Sequence, residues 1–329
     1  MAGRPAVKAT LARQYRDKHG MEMPTKKLAR IMYDENKMLF SNAEEARTML
    51  RYIEGKKGSG CKYGATHKME ERPRNPYNLP ESDETIYEPF VLSGHKRIAL
   101  FSDIHLPYHS TAALTAALSF VKKEKPDALL LNGDIIDCFQ LSRFVKDPKK
   151  RHFADELKSF QELIQVFEKT LSCKIYFKFG NHEERYEAFL FQKAKELVGV
   201  EEFELDNIIK ARASGITIIK DKRIIHTGGL NIIHGHEFST GFFSPVNVAR
   251  GLFLRGKTSA IQGHSHQTSE HTESDMNGKI TTTWSLGCLS ELHPAYAPLN
   301  KWNNGFAIID VDGNNFDVRN KRIFKGEVL

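Results

Sequence analysis

Cysteine is scarce in this chain, which has four cysteines in 329 residues. The four stand far apart, so the Cys-x-x-Cys spacing of zinc knuckles and redox motifs is absent. Unpaired cysteines of this kind are typical of reduced thiols inside the cell. We therefore predict a cytoplasmic protein. The four cysteines are Cys61, Cys138, Cys173 and Cys288.

Long apolar runs are also missing. No run approaches the roughly 20 apolar residues of a membrane span, so we predict no membrane partner. Residues 1–16 contain Arg and Lys but no apolar core of secretory length, which leaves a transit peptide as an open alternative. The hydrophobic content of 40% and charged content of 27% are typical of a globular protein.

Acidic residues are too few to balance the basic ones at the start of the chain. The net charge is +7, and residues 1–79 alone contain 17 Lys and Arg against 9 Asp and Glu. A basic segment of this kind predicts contact with nucleic acid phosphates. A helix-turn-helix around residues 34–41 and a solvated helical cap stay open as alternatives. The candidate phosphate contacts are Lys26, Lys27, Arg30, Arg47, Arg51, Lys56 and Lys57.

Periodicity and composition divide the chain into three parts. Residues 1–60 form a basic helical region, in which Asn42 is a predicted N-cap with Glu45 three residues later. Residues 61–94 are rich in Pro, Asn, Glu and Arg, which predicts a linker or an arm that wraps the next domain. Residues 95–329 form the predicted catalytic domain.

Strand-like and helical runs alternate through most of the catalytic domain. This order predicts parallel βαβ units, with added antiparallel strands after residue 266. In open parallel sheets, ligands bind beyond the carboxyl ends of the strands. Five segments rich in metal-ligand side chains fall at such ends. They are Asp103-Ile104-His105, Gly133-Asp134-Ile135-Ile136-Asp137, Gly180-Asn181-His182-Glu183, His234-Gly235-His236 and Gly263-His264-Ser265-His266.

The combination of carboxylate, amide and imidazole ligands predicts a site for two divalent transition-metal ions. Such a mixture suits Mn, Fe, Zn or Ni better than Mg or Ca, which prefer oxygen ligands throughout. A shared carboxylate and a shared hydroxide would complete two five- or six-coordinate ions. The seven candidate ligands are Asp103, His105, Asp134, Asn181, His234, His264 and His266.

The ordered set of motifs resembles the calcineurin-like metallophosphoesterase superfamily over residues 95–310. The resemblance implies an αββα sandwich of two mixed sheets with flanking helices, and a dinuclear centre at one edge, with Mn²⁺ as the expected metal. Phosphatases of this superfamily that act on serine and threonine have Gly-Asp-x-Val-Asp-Arg-Gly, whereas here Cys138 and Phe139 follow Asp137. The segments 141–144, 180–186 and 302–306 look more like phosphoesterases of phages and mobile elements.

The resemblance also implies a role for each candidate residue. Asp103, His105 and His266 look like ligands of one metal, whereas Asn181, His234 and His264 look like ligands of the other. Asp134 looks like the carboxylate that bridges both metals. His182 looks like the catalytic residue that protonates the leaving group or stabilises charge on the phosphorus oxygens.

Several neighbouring residues have more than one interpretation. Asp137 is expected to hold the loop by hydrogen bonds rather than to bind a metal. His236 could support a metal ligand or meet phosphate. Arg143 could meet substrate phosphates or belong to a solvated basic loop. Glu183, Glu184 and Arg185 open a predicted helix, where capping of its first turn is expected, with Arg185 as a further candidate for substrate contact.

These features predict a metal-dependent phosphoric ester hydrolase. Attack by metal-bound hydroxide on a phosphodiester of nucleic acid is the preferred hypothesis. A phosphomonoesterase or small-molecule phosphodiesterase with a structural N-terminal cap is the alternative. A nucleic-acid-binding protein that lost catalysis is a third possibility, but no ligand position is substituted. Oligomeric state cannot be inferred from the sequence.

Overall fold

This computed structural model describes residues 4–19, 23–54, 79–80, 87–144, 152–238, 246–294 and 297–329. The chain divides into two compact units, Met1–Asp83 and Glu84–Leu329. Most of the predicted linker or wrapping arm at 61–94 lies outside the described residues, as do Cys61, Lys56 and Lys57. The predicted boundaries at residues 60 and 94 therefore stay predictions.

The described residues of the N-terminal unit include three helices: α1 (Arg4–His19), α2 (Thr25–Glu35) and α3 (Ala43–Ile53). The predicted N-cap is confirmed, because the Asn42 side chain accepts a hydrogen bond from the Glu45 backbone N–H at 2.8 Å. A small apolar core joins the three helices. Its buried members are Ala12, Leu28, Ala29, Met32, Phe40, Ala46 and Leu50.

A seven-stranded mixed sheet forms the centre of the second unit. Its strand order is β13-β12-β11-β2-β3-β4-β5. Strands β2 to β5 are parallel, whereas β11, β12 and β13 add antiparallel pairs. The strands are β2 (Arg97–Phe101), β3 (Ala128–Asn132), β4 (Lys174–Lys178), β5 (Thr217–Ile219), β11 (Asn304–Asp312), β12 (Asn315–Phe324) and β13 (Glu327–Val328).

A six-stranded mixed sheet faces it, in the order β1-β6-β7-β8-β10-β9. Here β7, β8 and β10 run parallel, and β9 closes the edge as an antiparallel strand. The strands are β1 (Phe90–Val91), β6 (Ile225–Thr227), β7 (Leu230–Ile233), β8 (Ala260–Gln262), β9 (Ser269–Ser274) and β10 (Ile280–Ser285).

Helices cover the outer faces of both sheets. Helices α4 (Thr111–Glu124), α5 (Phe153–Thr170) and α6 (Glu184–Lys193) pack on the larger sheet, and α8 (Val248–Gly256) packs on the smaller one. A short helix, α7 (Leu205–Ile208), lies between β4 and β5 in the chain. The predicted αββα sandwich of two mixed sheets is therefore confirmed.

Alternation of apolar side chains explains the layers. On β2, Ile98 and Leu100 point into the core between the sheets, whereas Ala99 and Phe101 point towards the helices. The ring of Phe101 meets Phe167 of α5 edge to face, with centroids 5.9 Å apart. Burial on both faces explains why the parallel strands are nearly continuous apolar runs.

The helix that the sequence predicts to open at Glu183–Arg185 is α6, which begins at Glu184 and ends at Lys193. A 3₁₀ turn, Lys195–Leu197, follows it. Added antiparallel strands follow residue 266, as predicted, but the sequence did not indicate the positions of β9 and β12 or of helix α8. Among the residues that the structure describes, no helix is both long and apolar enough to cross a membrane.

Candidate metal centre

The candidate ligands lie where strands of both sheets end. Each of five strands is followed, within three residues, by a predicted ligand, so the fold gathers residues from distant parts of the chain. Asp103 follows β2, Asp134 follows β3, Asn181 follows β4, His234 follows β7 and His264 follows β8.

Asp103, His105 and His266 form one group of possible ligands. One ligand atom from each lies within 4.8 Å of the others. The Nε2 atoms of His105 and His266 face each other at 3.2 Å, and His266 Nε2 is 3.2 Å from Asp103 Oδ1. Two ring nitrogens that meet a carboxylate in this way form a natural cation site.

Asp134, His234 and His264 form a second group, again within 4.8 Å. Nδ1 of His234 lies 2.7 Å from the carbonyl oxygen of Asn132, so it is the protonated nitrogen and leaves the Nε2 lone pair for a cation. The buried Nε2 of His234 has no hydrogen-bond partner among the described residues, and neither has Oδ1 of Asn181. Such orphaned buried acceptors fit a metal site.

Asp134 lies between the two groups. Its Oδ2 is 3.2 Å from His234 Nε2 of the second group and 3.9 Å from His105 Nε2 of the first. Burial raises the pKa of Asp134, but the neighbouring His182 and His234 outweigh burial and hold the pKa well below its usual value. The ionised carboxylate therefore faces both groups, as a bridging ligand must.

The histidines of the second group differ in pKa. Burial lowers the pKa of His264 to about 4, with a further contribution from His234. Burial also lowers the pKa of His234, but the Asp134 carboxylate outweighs it and raises the pKa to about 10. A bound divalent cation would replace the proton that Asp134 favours on His234 Nε2, because the same carboxylate attracts either positive charge.

Unusual backbone conformations occur at the candidate ligands. Five of the seven have a positive φ, between 53° and 65°, which is uncommon for residues other than glycine. Backbone strain of this kind is concentrated at functional sites, where the surrounding fold maintains it. The five are Asp103, His105, Asp134, His264 and His266.

Two glycines allow the loops to approach closely. A Cβ at Gly133 would collide with the His234 ring, and the φ of Gly133 is +84°. A Cβ at Gly180 would collide with the Asp134 carboxylate. These glycines are therefore required because side chains of the centre fill the space beside them.

Asp137 contacts two histidines. Its Oδ1 lies 2.9 Å from Nδ1 of His105 and 2.8 Å from Nδ1 of His182. The arrangement fixes Nδ1 as the protonated nitrogen of His105 and leaves Nε2 for a metal. His105, Asp137 and His182 also lie close enough to share a cation, but these hydrogen bonds already use the nearer Asp137 oxygen.

His182 lies next to the two ligand groups and belongs to neither. Its backbone N–H donates to Asp134 Oδ1 at 2.9 Å, and its Nε2 lies 2.9 Å from a guanidinium nitrogen of Arg185. Arg185 also donates to the backbone carbonyl of Asp137 at 2.8 Å. The predicted catalytic histidine and Arg185 therefore lie together at the edge of the centre.

Glu183 does not cap the helix, and the prediction for it is wrong. Its buried carboxylate accepts four backbone N–H groups, from Asp134, Ile135, Ile136 and Gly180, at 2.8–3.0 Å. Glu183 therefore joins the segment 133–137 to the segment 180–183. The pattern of acidic residues at a helix start concealed this role, because three of the four donors lie in a loop 47 to 49 positions earlier in the chain.

A buried ion pair supports the segment His234-Gly235-His236. Lys178 is fully buried, and its Nζ lies 3.0 Å from Oε1 of Glu237. Glu237 in turn accepts the backbone N–H groups of His234 and Gly235 at 2.9 Å and 2.6 Å. Burial raises the pKa of Glu237, but the Lys178 charge outweighs burial and lowers the pKa to about 2. Neither residue was identified from the sequence.

The two other candidates lie farther from the ligand groups. Nε2 of His236 lies 2.9 Å from Oε1 of Glu184, so this imidazole is held by a carboxylate outside the groups. Arg143 is exposed, and its guanidinium lies 5.8 Å from the centre of the Phe144 ring. Arg143 lines the same cleft as Asn181 and Arg185.

Comparisons with known proteins agree with this geometry. Residues 96–281 match the family model described as calcineurin-like phosphoesterase. The gene 54 protein of Mycobacterium phage L5 is 26% identical over 232 residues, which cover 66% of this chain and 90% of the relative. The gene 54 protein of Mycobacterium phage D29 is 25% identical over 233 residues, which cover 67% and 90%.

Solved structures similar to this chain are more distant. Wild-type Vps29 complexed with Zn²⁺ from Entamoeba histolytica is 12% identical, with a TM-score of 0.38, and the match covers 71% of this chain and 96% of that one. A dimetal phosphatase from Danio rerio is 12% identical, with a TM-score of 0.37, and the match covers 71% and 98%.

Proposed function

Because the chain belongs to the calcineurin-like phosphoesterase family, we propose that it is a metal-dependent phosphodiesterase that acts on nucleic acid. Two divalent transition-metal ions, with Mn²⁺ preferred, are part of this proposal. The observation that supports it most is the convergence of two ligand groups on the Asp134 carboxylate. The free thiols of Cys138, Cys173 and Cys288 suit the cytoplasmic location that we also propose.

In the proposed centre, the metals and the side chains have different roles. When bound, two such ions lower the pKa of bound water and polarise the phosphoryl oxygens. Asp103, His105 and His266 would hold one ion, and Asn181, His234 and His264 the other, with Asp134 shared. His182 lies beside the centre, where it would hold the proton that the departing alcohol needs.

The nucleic-acid part of the proposal depends on the charge of the N-terminal unit. Lys26, Lys27 and Arg30 are exposed and lie within two turns of α2, whereas Leu28 and Met32 of the same helix are buried. A helix that buries one face and presents basic side chains on the other can contact phosphates without reading sequence. Arg47 instead pairs with Glu44 at 2.9 Å.

Replacing these three basic residues by glutamine is expected to weaken DNA binding and to lower its salt dependence. Each lost phosphate contact should reduce the slope of log K against log salt by about 0.9. The measurement is fluorescence anisotropy with labelled DNA at several salt concentrations. The control is Lys122→Gln, Lys123→Gln and Lys158→Gln, which removes the same charge from exposed positions in the second unit. An equal effect in both triple variants would contradict the proposed α2 contact.

The reaction itself is tested by comparing three substrates. An aryl phosphodiester, an aryl phosphomonoester and linear DNA are incubated with Mn²⁺ and, separately, with chelator. We expect metal-dependent hydrolysis of the diester and of DNA. Hydrolysis of the monoester alone would replace the proposal by the phosphomonoesterase alternative. The removal of metal by the chelator is verified separately. If hydrolysis then continues undiminished, the metal-dependent mechanism is contradicted.

A further inference from the structure

A cleft of about 420 Å³ opens beside the candidate metal centre. Asn181, a proposed ligand, and Arg185, whose guanidinium touches His182, both line it. The cleft therefore borders the candidate metal centre on the side of Asn181 and Arg185. Its size falls within the range of pockets that enclose small organic ligands.

The walls of this cleft combine aromatic and basic groups. Phe144 and Phe189 supply rings, and Arg143, Arg185 and Gln192 supply hydrogen-bond donors. Among its described lining residues there is no carboxylate. Such walls suit a planar ring that is attached to an anion, and they disfavour a cationic ligand.

Phe144 is the most informative residue of the cleft. More than half of its surface is exposed, at 56%, although an exposed phenylalanine gains nothing from contact with water. The guanidinium of Arg143 lies over one face of this ring, 5.8 Å from its centre. A base stacked on the opposite face of Phe144 would cover the remaining apolar surface, and the Arg143 charge would attract the phosphate attached to that base's sugar.

We propose that this cleft is a subsite for the nucleoside attached to the scissile phosphate, with the base stacked on Phe144. The inference rests on the proposed phosphodiesterase function and specifies its substrate class. Stacking tolerates any base, because every base has a π face. The subsite would therefore favour nucleotidic diesters over simple ones without choosing among sequences.

The test uses two diesters that differ only in one group. p-Nitrophenyl thymidine phosphate carries a nucleoside, whereas methyl p-nitrophenyl phosphate carries a methyl group in its place. We expect the wild-type kcat/KM to be higher for the nucleoside ester. Phe144→Ala should lower that value by about 5- to 150-fold, the range measured for base stacking, and should leave the methyl ester unchanged.

Two further variants distinguish the loss of stacking from a general effect of removing a phenylalanine. Phe144→Trp should restore the preference for the nucleoside ester, because it keeps an aromatic face. Phe191→Ala removes a similarly exposed phenylalanine, at 50%, that does not line this cleft, and it should change neither rate. An equal loss on both esters in Phe144→Ala would overturn the proposal, since the effect would then be general.

Failure of the subsite is distinguishable from failure of the proposed function. If the wild type hydrolyses both esters at the same kcat/KM, the subsite is wrong but the phosphodiesterase stands. If neither ester is hydrolysed, equilibrium binding of thymidine monophosphate against inorganic phosphate decides the matter. Tighter binding of the nucleotide that Phe144→Ala abolishes would support the subsite, and equal binding would overturn it.

Discussion

Asp134→Asn is expected to remove most of the divalent metal that the purified protein holds. Loss of a group that only orients a metal ligand typically lowers metal affinity about 10- to 100-fold, so loss of the bridging charge should lower it by about 100-fold or more. Hydrolysis of an aryl phosphodiester should fall at least as far. Elemental analysis after dialysis measures the metal content, and assays with added Mn²⁺ measure the activity.

The contacts of Asp134 explain why an amide cannot replace the carboxylate. Its Oδ1 accepts the His182 backbone N–H at 2.9 Å, so the amide oxygen must take that position. The amide nitrogen then faces Nε2 of His234, which lies 3.2 Å from Oδ2 in the native arrangement. The amide would donate to the lone pair that a metal needs, in addition to removing the negative charge.

A matched control separates this effect from a general loss of charge. Asp221→Asn makes the same chemical change at an exposed residue outside both ligand groups. The φ of Asp221 is +62°, a conformation that asparagine also tolerates. This control should keep its metals and its activity. Full metal occupancy in Asp134→Asn would disprove the bridging role, whatever happens to the rate.

The positions of the apolar strands were predictable from the sequence, whereas the two-sheet sandwich was implied by the family resemblance. Strand β3 is a short, mostly apolar run that is buried throughout, and Asp134 follows it within two residues. This pattern is local, so it can be read without knowing any contact. The family motifs identified the second unit for the same reason, since each motif occupies a few consecutive residues.

The polar strands could not be predicted in this way. Strand β9, Ser269–Ser274, contains no apolar alternation and is mostly exposed. It is a strand because each of its residues pairs with β10, from Ser274 opposite Ile280 to Ser269 opposite Ser285. Pairing with a neighbour determined the structure here, and single-sequence periodicity contains no information about the neighbour.

The residues that support the metal centre, Lys178, Glu183 and Glu237, could not be identified from the sequence for a related reason. Lys178 ends a strand, where a lysine normally predicts exposure, yet it is fully buried against Glu237. Glu183 contacts backbone groups 47 to 49 positions away in the chain. A buried charge can be recognised only when its partner is known. Ligand identities are thus a property of local motifs, whereas their positioning is a property of the tertiary fold.

His182→Ala is expected to keep both metals and to lose most of the turnover on substrates with an alkyl leaving group. Loss of a general acid typically costs about 10²- to 10⁴-fold. The imidazole belongs to neither ligand group, and Asp137 orients it through Nδ1. Metal content should therefore match the wild type in elemental analysis, while the rate on a dinucleotide falls.

The choice of leaving group makes this prediction specific to proton transfer. An acidic phenol departs as an anion and needs little help, whereas an alkoxide must be protonated as the bond breaks. His182→Ala should therefore lose much less on an aryl diester than on a dinucleotide. His271→Ala is the control, because this imidazole is held by Glu273 on β9 and should affect neither substrate.

The contact between Arg185 and His182 provides an alternative role that the same experiment can detect. Its guanidinium lies 2.9 Å from His182 Nε2, and because a guanidinium only donates, this contact requires Nε2 without a proton. A proton-donating His182 must therefore exchange this contact for the leaving oxygen when substrate binds. Equal losses on aryl and alkyl esters in His182→Ala would exclude proton donation and indicate that His182, with Arg185, stabilises charge on the phosphoryl oxygens. Unchanged turnover on both substrates would remove His182 from the mechanism.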